Sequence, residues 1–279
     1  MPPAVVKERN GPAEYRIVVR PTIAIVAFRE ERPTDVEALL VCLVSLRQTA
    51  PDVQVLLIED REPALPARQT LAEAAAAELG CAHVAQEDGA GTLAAAVAGL
   101  ELARSSGYDA VLVGPDLELQ PGWLEALRER RDTAGRPAAV AGGMLRFADG
   151  LVEHAGYFYS LLLRRWLPRY SGVPAEVAET RLPTLCPVTG QLQLIRHEAL
   201  AAVGLPDPEL GAPYAEIDFC LRVFAAGLEC VYEPAAVGRS TRLALQGLQN
   251  ETVHERLAGA RLESRHAPGT FDRFIPDVV

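Results

Sequence analysis

Asp116 is the residue with the clearest chemical opportunity. It follows a short apolar run, Ala110 to Val113, and the Gly114-Pro115 pair that stops it. A strand ending this way leaves the acid just past its carboxyl end, and in an open α/β sheet ligands lie in the crevice there. A carboxylate at that place can hold a divalent cation beside a diphosphate; its other reading is a solvated turn acid. Glu216 and Asp218 open an amphipathic segment, so both carboxylates fall in the first turn of a helix, where the macrodipole favours them. Asp218 and Arg222 have the spacing of an ion pair along that helix. Glu216 follows the turn-rich stretch Pro206 to Pro213, which can deliver it to the same rim as a general base. His154, in Glu153-His154-Ala155-Gly156, reads either as a structural strand histidine or as a polar group of the site.

One pattern points elsewhere. Gly89-Ala90-Gly91-Thr92-Leu93-Ala94 fits the glycine fingerprint of dinucleotide binding. Its context opposes that reading: Gln86-Glu87-Asp88 comes just before it, and its carboxylates would repel a pyrophosphate. The first strand, where such glycines normally follow, opens into Arg29-Glu30-Glu31 instead.

The elements that must position these residues alternate. Thr22 to Phe28 and Val53 to Ile58 read as short buried strands, the second followed by Glu59-Asp60-Arg61. Between them runs a helix from about Thr34, with Glu37 completing a capping box. Helices at Gln69 to Leu79 and Thr92 to Arg104 flank a weak strand at Ala82 to Ala85. A further strand at Leu117 to Leu119, the Pro121-Gly122 turn and a helix opening at Trp123 complete this half. The β-α alternation argues for a mostly parallel central sheet flanked by helices. After about Pro137 the pattern loosens. Ala138 to Phe147 reads as a strand broken at Gly142-Gly143, and Leu151 to Tyr159 as a strand pair or a strand with a bulge. Residues 160 to 183 read as a mobile Arg- and Pro-rich loop. Gln191 to Arg196 follows as an apolar segment, then a helix from Glu198, the helix Ala215 to Ala226 and a last strand at Cys230 to Tyr232. The divisions are an arm over 1–20, one half over 21–136, a second half of the same domain over 137–242, and a helix with a tail over 243–279.

Composition narrows the class. At 279 residues, 49% apolar and 23% charged, the chain reads as an ordinary globular protein, without a membrane-length apolar run. The N-terminus lacks the apolar core of a signal peptide, so a cytoplasmic address is expected. A net charge of -10 argues against a general nucleic-acid binder. The five cysteines form no C-x-x-C pair and read as buried thiols. Lys7 is the only lysine and lies in the arm, which excludes a phosphate-loop or Schiff-base lysine elsewhere.

In order and spacing, IAIVAFRE, LLIED, VLVGPDLELQPGWLEAL, DGLVEHAG, VTGQLQLIRHEALAAVG and AEIDFCLRVFAAGLECVYEP resemble the family 2 glycosyltransferases, in particular the bacterial rhamnosyltransferase-like branch. The resemblance runs from about Thr22 to Arg239 and implies the GT-A fold. It implies an inverting transfer of a sugar from a nucleotide-diphosphate donor to an acceptor hydroxyl. On the donor side it implies Phe28, Arg29 and Glu31 after the first strand, Asp60 and Arg61, and Pro115 with Asp116. Asp116 would be the ligand of Mg2+ or Mn2+. Glu216 would be the catalytic base with Asp218 beside it, and His154, Thr189, Gly190, Trp123 and Arg222 would lie on the acceptor side. The sequence departs from the family pattern in places. Gly114 replaces the first acid of the metal motif, Glu216 stands where Asp is common, and Val237-Gly238-Arg239-Ser240 lacks the usual His. Arg239 could supply a metal's charge on the diphosphate and make the cation dispensable. The acceptor is open: a saccharide, lipid-linked sugar, peptide, small molecule or modified nucleotide. So is the oligomeric state. A catalytically silent relative that binds a nucleotide sugar or a partner is the first alternative, and a nucleotidyltransferase the second.

Overall fold

The computed structural model describes residues 20–61, 70–87, 89–181, 185–242 and 253–276. The N-terminal arm and residues 243–252 of the C-terminal segment lie outside them. In chain order the first half contains β1 (Thr22–Phe28), α1 (Pro33–Thr49), β2 (Gln54–Asp60), α2 (Leu71–Glu78) and β3 (Ala82–Gln86). It continues with α3 (Thr92–Ser106), β4 (Asp109–Val113), β5 (Leu117–Leu119) and α4 (Trp123–Glu129). Then come β6 (Val140–Arg146), β7 (Val152–His154), β8 (Tyr157–Ser160), β9 (Arg165–Pro168) and α5 (Ala175–Arg181). The last are β10 (Leu192–Ile195), α6 (His197–Val203), α7 (Tyr214–Ala225), β11 (Cys230–Ser240) and α8 (Val253–Arg265).

One sheet runs in the order β3-β2-β1-β4-β10-β6-β11-β5, with β7 added beside β6. The first four strands are parallel, as the alternation requires. Beyond them the sheet is mixed: β10 is antiparallel to β4 and β6, β11 is parallel to β6, and β5 closes the edge antiparallel to β11. The β5 strand therefore crosses from the first half of the sequence to the far edge of the second. Strand side chains alternate between two cores, as the pleat demands. Ala24, Val26 and Phe28 face α1, α2 and α4, together with Leu39, Leu43 and Leu46. Ile23 and Ile25 face α3, α6 and α7, together with Leu100, Leu200 and Phe219. Each of those α1 leucines is 0% exposed and contributes roughly 2 kcal/mol of burial.

Several local expectations are revised. The cap of α1 is Asp35 rather than Thr34 with Glu37. Its Oδ2 accepts from the backbone N–H groups of Glu31 at 3.1 Å and Arg32 at 2.7 Å, while Pro33 takes the first helical position, where no N–H is needed. β6 runs unbroken through Gly142-Gly143. These glycines mark close approach: a Cβ on Gly142 would lie 2.4 Å from Val188 Cβ, and one on Gly143 2.6 Å from the Ala236 carbonyl oxygen. The stretch from residue 160 is not all loop. β8 and β9 form a hairpin, packed through Tyr159 and Trp166 on Phe271 and Phe274, and α5 follows. β11 does not end at Tyr232 but continues to Ser240 past an irregularity between Glu233 and Val237. The cysteines are free, and all but Cys81 are buried. Among the described residues no helix is long and apolar enough to cross a membrane.

Candidate functional site

A cleft of about 790 Å³ opens at the carboxyl ends of β1 and β4, where three strand-end segments converge. Phe28, Arg29, Glu31, Pro115, Asp116, Gly190 and Glu216 all line it. The sheet order explains this meeting. β1 and β4 are parallel neighbours, so the loops after Phe28 and Val113 leave on one rim. β10 lies antiparallel beside β4, so its entry at Gly190-Gln191 returns to that rim. The Gly114 N–H donates to the Gln191 carbonyl at 2.7 Å, which fixes the turn that presents Asp116.

Glu216 is held from three directions. Its Oε2 accepts from the Tyr157 hydroxyl at 3.1 Å, and the Thr189 hydroxyl and the Gly190 N–H also hydrogen-bond the carboxylate. Gly190 allows close approach, since a Cβ there would lie 3.1 Å from Glu216 Oε1 and press on it. Burial pushes the Glu216 carboxyl above its ordinary range, and these hydrogen bonds offset part of that rise. Tyr157 is raised well above its ordinary value by burial and by the neighbouring Glu216, so it remains a donor.

His154 stands one layer behind. Its ring packs edge-on against Tyr157 with centroids 4.2 Å apart, and its Nδ1 accepts from the Gly156 N–H at 3.1 Å. Its Nε2 is buried without a hydrogen-bond partner, and burial pushes the imidazole down to about 3. The ring is neutral and supports Tyr157 rather than touching the cleft.

Asp218 and Arg222 lie on the other side of α7. Asp218 is 2% exposed. It accepts from Arg222 Nε at 2.8 Å and pairs with His266 Nε2 at 3.0 Å. Burial opposes its ionisation, but the hydrogen bonds from His266 and Arg222 outweigh it and leave the carboxyl below its ordinary range. Arg222 also bonds the carbonyls of Val203 and Leu205, tying α7 to the end of α6. This pair is a clasp for helices, and the structure separates it from Glu216.

Other residues named from sequence also fall away from the cleft. Asp60 is buried beneath it and reaches it through Arg29, whose Nε lies 3.1 Å from Oδ2. Neither Asp60 oxygen completes a hydrogen bond among the described residues. Arg61 points to the opposite face of β2, where it joins Glu59, Thr70 and Glu73. Trp123 is 0% exposed in the core and its indole N–H is satisfied by Thr49 at 2.9 Å, so it faces no acceptor. Arg239 bonds the Ala148 carbonyl and does not line the cleft.

The arginine that does stand at Asp116 is Arg242. Its Nε lies 3.1 Å from Asp116 Oδ2, and its Nη2 lies 2.6 Å from Glu153 Oε1 and 3.1 Å from Gln191 Oε1. Sequence reading missed it because the last strand was ended eight residues early, at Tyr232 instead of Ser240. Glu153 is pushed above its ordinary range by burial, against the pull of Arg242 and with Asp116 adding to the rise.

No family model matches the chain. A protein of Sinorhizobium fredii described as uncharacterized protein y4gI is 31% identical over 160 residues, which is 48% of this chain and 15% of that protein. Among solved structures, GalNAc-T7 with UDP, GalNAc and Mn2+ superposes at a TM-score of 0.63 over 93% of this chain, with 15% identity. The fold is GT-A. This chain covers 50% of GalNAc-T7, about half its length. The mannosyltransferase PcManGT of Pyrobaculum calidifontis, in complex with GDP-Man and Mn2+, shares the GT-A fold at a TM-score of 0.53 and 13% identity, over 91% of this chain and 67% of that one. Glucosyl-3-phosphoglycerate synthase of Mycobacterium tuberculosis, with Mg2+ and UDP, does so at 0.50 and 15% identity, over 93% and 81%. The GT-A cleft of this chain therefore carries a clasped glutamate and an aspartate-arginine pair on one rim.

Proposed function

We propose that this chain moves a sugar from a nucleotide-diphosphate donor to an acceptor hydroxyl, with inversion, as a family 2-type glycosyltransferase related to the rhamnosyltransferase-like branch and acting in the cytoplasm. The reading rests most on Glu216. It is a carboxylate on the cleft wall, fixed by Tyr157, Thr189 and Gly190, and with its proton affinity raised by burial. Those are the properties of a positioned general base. The acceptor oxygen attacks the anomeric carbon as the bond from that carbon to the diphosphate oxygen breaks. The acceptor proton passes to Glu216, and the nucleoside diphosphate leaves with the bonding electrons. The half over 21–136 receives the nucleotide between Phe28, Arg29, Glu31 and Pro115, with Asp60 acting through Arg29. The half over 137–242 receives the acceptor beside Thr189, Gly190 and Glu216.

The solved neighbours are complexes with Mn2+ or Mg2+, and a divalent cation on a donor diphosphate would meet Asp116 here. Mg2+ is commonly held between one or two carboxylates and substrate phosphates, which requires those carboxylates to be open. Asp116 Oδ2 and Glu153 Oε1 are both engaged by Arg242. Among the described residues no three His, Cys, Asp or Glu side chains converge on a cation site. An ion at Asp116 would have to share that carboxylate with Arg242, and no step above depends on one.

A thermal-shift screen of UDP-, GDP- and dTDP-sugars tests the reading. At a ligand concentration about a hundredfold above Kd, a bound donor stabilises the fold by about 2.7 kcal/mol, which moves the melting temperature visibly. A chain whose melting is indifferent to every nucleotide sugar does not bind a donor.

A further inference from the structure

We propose that Arg242 is the resident cation of the donor site, so that a nucleoside diphosphate binds without any divalent metal. This rests on the donor reading above and goes further by naming what neutralises the diphosphate. Three observations carry it. First, Arg242 is built into the rim. Its backbone N–H donates to Ser240 Oγ at 3.0 Å, its Nε lies 3.2 Å from the same oxygen, and Gln191 Oε1 accepts from Nη2. The adjacent Thr241 N–H donates to the Asp116 carbonyl at 3.2 Å, which links the arginine's segment to the Gly-Pro-Asp turn.

Second, the charges favour it. An uncompensated Asp116 would repel an incoming diphosphate. The Arg242 guanidinium stands against that carboxylate at 3.1 Å and offsets it, a charge it shares with Glu153. Glu153, 12% exposed at its side chain, touches the same guanidinium from behind. Third, capacity remains. A guanidinium has five N–H donors. The contacts of Arg242 run through Nε and Nη2, leaving Nη1 without a partner among the described residues, and 41% of the side chain is exposed at a cleft that Arg242 itself lines. Arginine is permanently charged and suited to phosphate oxygens, so it can meet the leaving diphosphate directly.

Isothermal titration of the full chain with UDP, GDP and dTDP tests this, in EDTA and again with Mn2+. The expected result is binding of at least one of them in EDTA, with Kd changed by no more than about threefold on adding Mn2+. Arg242→Gln, which removes the charge but keeps a polar side chain, should weaken that binding in EDTA by about ten- to a hundredfold, the range for a lost charge-assisted hydrogen bond. Arg242→Lys should recover part of it. Binding by the wild type that vanishes in EDTA and returns with Mn2+ overturns the role of Arg242 and leaves the donor reading standing. Unchanged affinity in folded Arg242→Gln overturns it too. No nucleotide binding under either condition overturns the donor reading along with it.

Discussion

His154 makes the stability of this fold depend on pH in a way that can be worked through. The imidazole is buried behind Tyr157, with its Nε2 unpartnered, and is pushed down to about 3. In the unfolded chain it returns to about 6.5. Between those values the unfolded chain binds a proton that the folded chain refuses, so this residue lowers stability as pH falls and has no effect well above 6.5. From about pH 7.5 to about pH 5 the loss from this one group is about 2 kcal/mol. His154→Phe keeps a ring against Tyr157 and removes the titration. It also removes the acceptor for the Gly156 N–H, but that cost does not vary with pH and cancels in the comparison. Urea unfolding of both proteins at the two pH values, at fixed ionic strength, gives four free energies. The wild type should lose about 2 kcal/mol more than the variant over that interval. Parallel losses would show that the ring is not shut away from protons, and would refute its placement.

Two further substitutions separate site from scaffold. Gly190→Ala adds a Cβ 3.1 Å from Glu216 Oε1, which forces the carboxylate to shift by a few tenths of an ångström. Transfer should fall by up to about tenfold, less than the hundredfold that a full ångström of misplacement can cost, with nucleotide affinity unchanged by titration. Asp218→Asn loosens the clasp to His266 and Arg222. It should cost about 3 kcal/mol in chemical unfolding, as breaking a buried pair does, and leave nucleotide affinity unchanged.

The parallel half of the fold was legible because its signals are local. Short β-branched runs such as Thr22 to Phe28 favour strands buried on both faces, and α2, capped by Thr70 through the Glu73 N–H, lies inside the helix read there. The second half was less legible because long-range packing overrides local rules. Gly142-Gly143 looks like a break but sits where Val188 and the Ala236 carbonyl press on the strand. Pro234 looks like a stop, yet β11 passes it by an irregularity and ends at Ser240, which hid Arg242. Asp116 was legible because it follows a strand end, and Glu216 because it opens a helix after a turn-rich stretch; both line the cleft. The Tyr157 contact joins residues 59 apart and has no spacing signature. The resemblance put Trp123 and Arg61 at the site, but Trp123 points into the core and Arg61 joins Glu59, Thr70 and Glu73.

The most direct test of the central claim is the reaction of Glu216→Gln. With a donor found by thermal shift and an acceptor panel of saccharides, lipid-linked sugars, peptides and small molecules, nucleoside diphosphate release and product anomeric configuration are followed by NMR. The account predicts inverted product from the wild type, and from the variant full nucleotide binding with transfer reduced by about a hundred- to ten-thousandfold. Normal turnover by Glu216→Gln would contradict it.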